Sequence, residues 1–352
     1  MNLIGTTKQG IFRVAKGIGV MSLVTRSGWR RRRLLIVCYH GVSLDDEHEW
    51  NPWLYMRQDL FRRRMQALAR NSQVLPLDEG VRRLYDGTLP NAAVAITVDD
   101  GAFDFLARAW PVLDELSLPV TVYQTTFYSE FNRPVFDTFA SYLLWKGRRP
   151  RVSLEGIIPG AGASDLSDAA ARARIHAMLL QHARAQEWNA DEKDARLDAL
   201  AERLDVDIGD LRRRRVLHLL NTDEIAMLAS RGVDFQMHSH RHRTPDEAQE
   251  FSREIDENRI RLERLTQRPA KHYCYPSGVY RRRYLTWLRD ADVHSATTCD
   301  PGMATVSSEP LLLPRLVDTE HLTDLTFEAW SSGLADLLPR RTRLGAGADI
   351  GQ

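Results

Sequence analysis

The run AVAITV at residues 93–98 is apolar but for one threonine, rich in β-branched side chains, and ends on Asp99-Asp100-Gly101. Six such residues are too few for a helix and suit a strand buried on both faces. The next stretch, AFDFLARAWPVLDEL, has helical spacing with Pro111 as a kink or a break, and VTVYQT after it reads as a second strand. Strand, helix, strand at these lengths is a βαβ unit, so the sheet is at least partly parallel. Two adjacent carboxylates at the end of such a strand repel each other, and neither favours strand conformation. The pair therefore needs a reason outside folding.

The same rhythm recurs along the chain. RLLIVCYHGV (33–42) reads as one strand ending at Tyr39-His40-Gly41, and Asp59 can cap a helix that buries Leu60, Phe61, Met65, Leu68 and Ala69. Residues 138–219 are rich in Ala, Arg, Leu and Glu at helical spacing and read as a helical insertion. Asn221 or Thr222 caps the next helix, where Glu224 can close a capping box on Asn221, Gly232 ends that helix, and VDFQM is a strand that runs into His238-Ser239-His240-Arg241-His242. A second capped helix from TPDEAQEF leads to the strand HYCYP and Ser277-Gly278. The helix RRRYLTWLRDA, the strands HSATT and LLLPRLV, and a closing helix LTFEAWSSGLADLL complete the series. Polar clusters at strand C-termini in an alternating chain predict a (β/α) barrel or a distorted version of one. The expected division is an N-terminal extension at 1–33, a barrel domain at 34–338 interrupted by the insertion at 138–219, and a flexible tail at 339–352.

Charge narrows the partners. The 48 basic and 47 acidic residues leave a net charge of +1, which gives no global field to attract nucleic acid. The arginine runs at 30–33, 212–215 and 281–283 read as solvated faces or an interface with an acidic partner, with the first also placed to touch anionic lipid. Cys38, Cys274 and Cys299 form no C-x-x-C pair and read as buried, reduced thiols. The N-terminal stretch does not read as a signal peptide, and no run approaches the roughly 20 apolar residues of a membrane span. Ile11, Phe12, Ala15, Ile18 and Leu23 predict an amphipathic helix packed on the protein itself. The expected location is cytoplasmic, with peripheral contact to a membrane or a lipid-linked glycan as the second reading.

The polar clusters suggest one site. His238 and His242 can turn both imidazoles to one point, and one added carboxylate makes a three-ligand site with open positions. A cation there explains the adjacent aspartates: Asp100 binds it, and its field keeps Asp99 ionised as a free base.

Thr97-Val98-Asp99-Asp100-Gly101 resembles the T-F-D-D-G motif of the polysaccharide deacetylase family, the NodB-homology domain of carbohydrate esterase family four. His238-Ser239-His240-Arg241-His242 resembles its H-[S/T]-x-x-H, and YCYPSGVY its third motif; LLIVCYHGV and LLLPRLV resemble flanking strands of one branch. The resemblance implies an α/β fold, a distorted (β/α) barrel of the polysaccharide deacetylase type with a helical insertion. It implies a divalent metal, zinc foremost with cobalt or nickel as alternatives, on Asp100, His238 and His242, with Asp99 as catalytic base. Ser277 lies in the turn whose backbone N–H is the expected oxyanion donor. The family's late L-x-H histidine is replaced here by Leu313-Pro314-Arg315, so His40 is the candidate general acid. Cys274 stands where the third motif has arginine, and Arg315 is the candidate to orient Asp99 instead. His240 is a bystander or a substrate contact.

The expected activity is metal-dependent hydrolysis of the N-acetyl amide of an amino sugar in a polysaccharide, glycolipid or saccharide precursor. The alternatives are a deformylase or other amide hydrolase on the same scaffold, and a non-catalytic saccharide-binding homologue.

Overall fold

The computed structural model describes residues 3–131 and 133–338 of the chain; the tail expected at 339–352 lies outside them. Seven strands carry the barrel: β1 (Arg33–Tyr39), β2 (Ala93–Val98), β3 (Thr121–Gln124), β4 (Asp234–Met237), β5 (His272–Cys274), β6 (Ser295–Thr297) and β7 (Leu316–Val317). Each pairs in parallel with the next in the order β7-β1-β2-β3-β4-β5-β6. The curled sheet closes where Leu313 bridges Thr297 in parallel and the Thr298 N–H donates to the Leu313 carbonyl at 2.9 Å. The fold is thus a distorted (β/α) barrel.

Strand alternation sorts the side chains into two shells. Leu35, Val37, Val94 and Ile96 pack outward with the surrounding helices in the main core. Leu34, Ile36, Ala93 and Ala95 fill the lower barrel with Leu77, Val81 and Leu84 of the helix Leu77–Tyr85, which plugs its base. The same parity carries Cys38, Thr97 and Asp99 inward at the top. Tyr39 pairs with Val98 in register, so His40 and Asp99 leave neighbouring strands at one level.

The insertion has its own core. Phe139, Leu143, Ile175, Leu179, Leu197 and Leu200 form a second apolar cluster with Tyr55. Its helices include Phe136–Lys146, Ala169–Ala185 and Ala190–Leu204, and a two-stranded ladder, Val152–Ser153 with Ala163–Ser164, lies among them. The insertion returns beside the Asp-Asp-Gly turn: the Leu220 N–H donates to the Gly101 carbonyl and the Phe103 N–H to the His218 carbonyl.

Several local expectations are corrected. RLLIVCYHGV breaks at His40 into β1 and a short strand Gly41–Val42, which pairs with Tyr55–Met56 rather than continuing β1. The Gln58–Asn71 helix starts one residue before Asp59 without a side-chain cap, and the helix at 248 also begins without one because Asp246 is engaged by Tyr284. LLLPRLV is a 3₁₀ turn, a bridge and the two-residue β7, since Pro314 has no N–H for a ladder. Helical φ/ψ is kept up to Pro111, which sits in the first turn of Trp110–Glu115 after a π-helical turn at Phe105–Ala109. Arg30 is fully buried rather than solvated, donating to the carbonyls of Arg33, Ala93 and Ser331. Cys299 is exposed, unlike Cys38 and Cys274. At the N-terminus Phe12 and Ala15 are buried, while Ile11, Ile18 and Leu23 face solvent.

Candidate active site

Asp99 and Asp100 sit at the C-terminal end of β2 and diverge there. Asp99 continues the inward parity of the strand and is buried. Asp100 adopts a left-handed backbone (φ 67°), as does Gly101 (φ 72°), and this swings its carboxylate toward β4. The turn depends on glycine: a Cβ at Gly101 would lie 1.8 Å from Gln124 Oε1. Gln124 is fixed in turn by donating to the Thr125 carbonyl at 2.8 Å and the Ser129 hydroxyl at 3.1 Å.

Beyond β4 the chain coils through Ser239 (φ 60°) and His242 (φ 55°), two further left-handed residues. Such backbone costs about 1–2 kcal/mol per residue, and it recurs here at Asp100, His242 and Ser277. The coil does what the spacing required. His238 Nε2 and His242 Nε2 lie 3.1 and 3.2 Å from the same oxygen, Asp100 Oδ1. His238 is buried while Asp100 and His242 are about one-third exposed (33% and 35%), so the cluster opens to solvent on one side. Burial disfavours a charge on Asp100, but His242 and His238 outweigh it and hold the carboxyl well below its usual range.

The donor set suits a metal. His238 Nδ1 stands 2.8 Å from the Cys274 carbonyl, which can only accept, so Nδ1 carries a proton and Nε2 is the nitrogen that a metal ion would take. Two imidazoles and one carboxylate oxygen, with a backbone carbonyl behind one imidazole, are a divalent-ion arrangement. Two other groups of donors lie as close together, Cys38-His40-Asp99 and Asp99-His238-Cys274. Both are poor ion sites, because the Arg315 guanidinium lies against Asp99 and Cys274 and burial keeps the Cys38 thiol protonated.

Arg315 spends every N–H it has inside the barrel. Nη1 donates to Asp99 Oδ1 and Nη2 to Asp99 Oδ2, both at 2.7 Å; the remainder go to the Thr298 carbonyl, Thr97 Oγ1 and Cys274 Sγ. Burial alone would raise Asp99; the guanidinium overrides it and holds the carboxyl well below its ordinary range. His40 Nε2 is 3.8 Å from Asp99 Oδ2, and its buried Nδ1 has no hydrogen-bond partner among the described residues. Burial lowers the His40 pKa against the pull of the two aspartates, so the ring is neutral near pH 7. Ser277 is exposed in the turn after β5, three residues beyond the carbonyl that fixes His238.

Of the two readings of His240, the structure fits the bystander rather than the substrate contact. It points away from Asp100 into the protein, with Nδ1 2.8 Å from Thr126 Oγ1 and Nε2 3.4 Å from Glu257. The residues that hold the histidine coil were not anticipated. On the helix Ala248–Thr266, Asn258 Oδ1 accepts from the His238 N–H, and Glu254 accepts from the Arg241 N–H and from the Arg241 and Arg243 side chains. Their signal was present: Glu254 and Asn258 occupy the stripe otherwise formed by Phe251, Ile255 and Leu262.

The family model for polysaccharide deacetylases matches residues 181–296, which include the histidine cluster and β5. The chain resembles polysaccharide deacetylases over that segment. Its fold is similar to the Streptococcus pyogenes deacetylase PplD in complex with acetate, with TM-score 0.56 and 16% identity over 87% of this chain and 99% of that one. It is similar to a de-N-acetylase from Aggregatibacter actinomycetemcomitans, with TM-score 0.54 and 11% identity over 85% and 99% of the two chains. A polysaccharide deacetylase from Bacillus cereus shares the fold at TM-score 0.51 and 18% identity, over 85% of this chain and 69% of that one. None of the curated proteins matches the chain. The motif absent from the matched segment, Asp99-Asp100-Gly101, is supplied by the barrel closing on the histidines.

Proposed function

We propose that this protein removes the acetyl group from an N-acetylated amino sugar of a saccharide by metal-dependent hydrolysis, releasing acetate and the free amine. The reading rests on one observation: Asp100 Oδ1 lies within 3.2 Å of Nε2 of both His238 and His242, beside an Asp99 that Arg315 keeps ionised. Asp100, His238 and His242 would hold a divalent ion, zinc foremost, which would supply acidification of water and polarisation of the acyl carbonyl.

The chain's own groups manage the protons. Asp99 is aligned to accept the proton of the attacking water. Its low proton affinity under Arg315 favours passing that proton on, and the neutral His40 imidazole stands 3.8 Å away to receive it. His40 then donates to the departing nitrogen as the C–N bond breaks, so the amine leaves neutral and the proton taken from water ends on the product. The turn at Ser277 supports the carbonyl oxygen through a backbone N–H. A precursor on the cytoplasmic side of a membrane is the substrate we favour.

The deciding experiment measures acetate released from N-acetylated saccharides by intact, chelator-stripped and zinc- or cobalt-restored protein. Loss and recovery of acetate release support the reading. Formate release from N-formyl saccharides in its place, or full activity without metal, would overturn it.

A further inference from the structure

The helix Leu3–Gly17 is apolar on two faces. Phe12 and Ala15 are buried in the core cluster that contains Phe327 and Trp330, and Gln9 Nε2 donates to Thr326 Oγ1 at 2.6 Å. This docks the helix on Asp324–Ser332. On the other side Ile11, Val14 and Ile18, spaced as one stripe, are 43, 62 and 70% exposed, and Leu23 of the following helix Val20–Arg26 is 70% exposed. Four of the eleven exposed large apolar side chains among the described residues fall in this short segment. Ile11, Val14 and Ile18 line a shallow groove with Gly10, Ala15 and Val20 and with no polar side chain. Scattered single residues would need no explanation; a stripe does.

The charge of the same segment says what covers it. Residues 1–33 hold eight of the 48 basic residues and none of the 47 acidic ones, leaving 40 against 47 in the rest of the chain. Arg13, Arg26, Arg31 and Arg32 are exposed, and their side chains make no ion pair or hydrogen bond among the described residues. Among the described residues no helix is long and apolar enough to cross a membrane. We propose that this face lies on an anionic membrane surface, with the aliphatic stripe at the headgroup–acyl boundary and the arginines on lipid phosphates. A second copy of the chain fits worse, because a two-fold contact here would oppose two identical acid-free segments. The surface stands apart from Asp100 and its histidines, and the proposal is independent of the reaction.

Vesicle flotation of the full chain tests it, using phosphatidylcholine alone and a 7:3 mixture with phosphatidylglycerol. The protein should float with the mixed vesicles and not with the neutral ones, and 0.5 M salt should weaken the association. Arg31→Gln/Arg32→Gln should weaken it about thirtyfold. Ile18→Asp/Leu23→Asp should abolish it with an unchanged melting temperature, since both positions are exposed. No flotation with either vesicle, or equal flotation with both that the arginine variant leaves intact, would overturn the proposal. So would a concentration-dependent dimer that Ile18→Asp dissociates while mixed vesicles take up no protein.

Discussion

Arg315 and Asp99, 216 residues apart in the chain, meet inside the barrel with both Nη atoms on both carboxylate oxygens at 2.7 Å. The pair is out of water, so its value lies in geometry and in the charge state of Asp99 more than in net stability. Lysine keeps the charge and loses the fork. Arg315→Lys should lower kcat about tenfold or more with little change in KM, and should move the acid limb of the pH–rate profile upward as Asp99 becomes easier to protonate. Arg315→Ala leaves a buried carboxylate uncompensated and should cost about 3–5 kcal/mol in urea unfolding. An unshifted acid limb in Arg315→Lys would show that Asp99 does not limit the rate.

The His40 role separates from a structural one by choice of leaving group. An amine departs only with a proton, whereas an activated ester departs without one. His40→Ala should reduce amide hydrolysis by about 10²–10⁴ and hydrolysis of an activated acetate ester far less. Equal losses on both substrates would assign His40 to positioning Asp99.

Asn258 reaches the candidate metal centre only through the backbone. Its Oδ1 accepts the His238 N–H at 2.9 Å, and its Nδ2 donates to the Gln124 carbonyl and to Thr126 Oγ1. It therefore ties β3 to β4 where the histidine coil begins. Asn258→Leu should weaken zinc binding about 10–100-fold, read by competition with a chromophoric chelator, although no ligand is altered. Unchanged affinity would mean that the coil is held by Glu254 alone.

How much of this was legible depended on the range of the interaction that decided it. Parity along β2 and the β-rich runs around it follow from local patterning, as does the Asn221–Glu224 capping box, which is present. The convergence of His238 and His242 on Asp100 needed only a short coil after a strand. By contrast, the N-terminal helix showed five apolar residues and nothing of which neighbour would cover them. Asp324–Ser332 takes Phe12 and Ala15, and the rest stay outside. Arg30 looked like one of four solvated arginines; three carbonyls, two of them from distant segments, decided otherwise. The partners of His240 were unreadable for the same reason, since they lie on other elements.

Gly101 carries a sharp steric test. Its φ of 72° costs a side chain about 1–2 kcal/mol, and a Cβ would enter the Gln124 carboxamide at 1.8 Å. Gly101→Ala should lower stability by about 2–4 kcal/mol and displace Asp100, with loss of metal binding. Adding Gln124→Ala removes the clash but not the backbone penalty, so the double variant should recover part of the loss. Full recovery would show that the left-handed turn is unstrained.

Asp318 sets the direction of one pH effect. It follows β7, is buried, and receives Arg64 Nε at 3.1 Å; burial nevertheless pushes its pKa up to about 6, the arginine opposing. In the unfolded chain the carboxyl titrates near 3.9. Between roughly pH 4 and 6 the folded protein therefore holds a proton that the unfolded chain has released, and this group's contribution to stability falls as pH rises through that window. Asp318→Asn cannot ionise and escapes the penalty. The urea midpoint of the wild type relative to Asp318→Asn should accordingly be higher at pH 4.5 than at pH 7, both measured on metal-free protein. A difference that is flat with pH, or that grows toward pH 7, would place the Asp318 pKa at or below its unfolded value and make Arg64 the stronger influence.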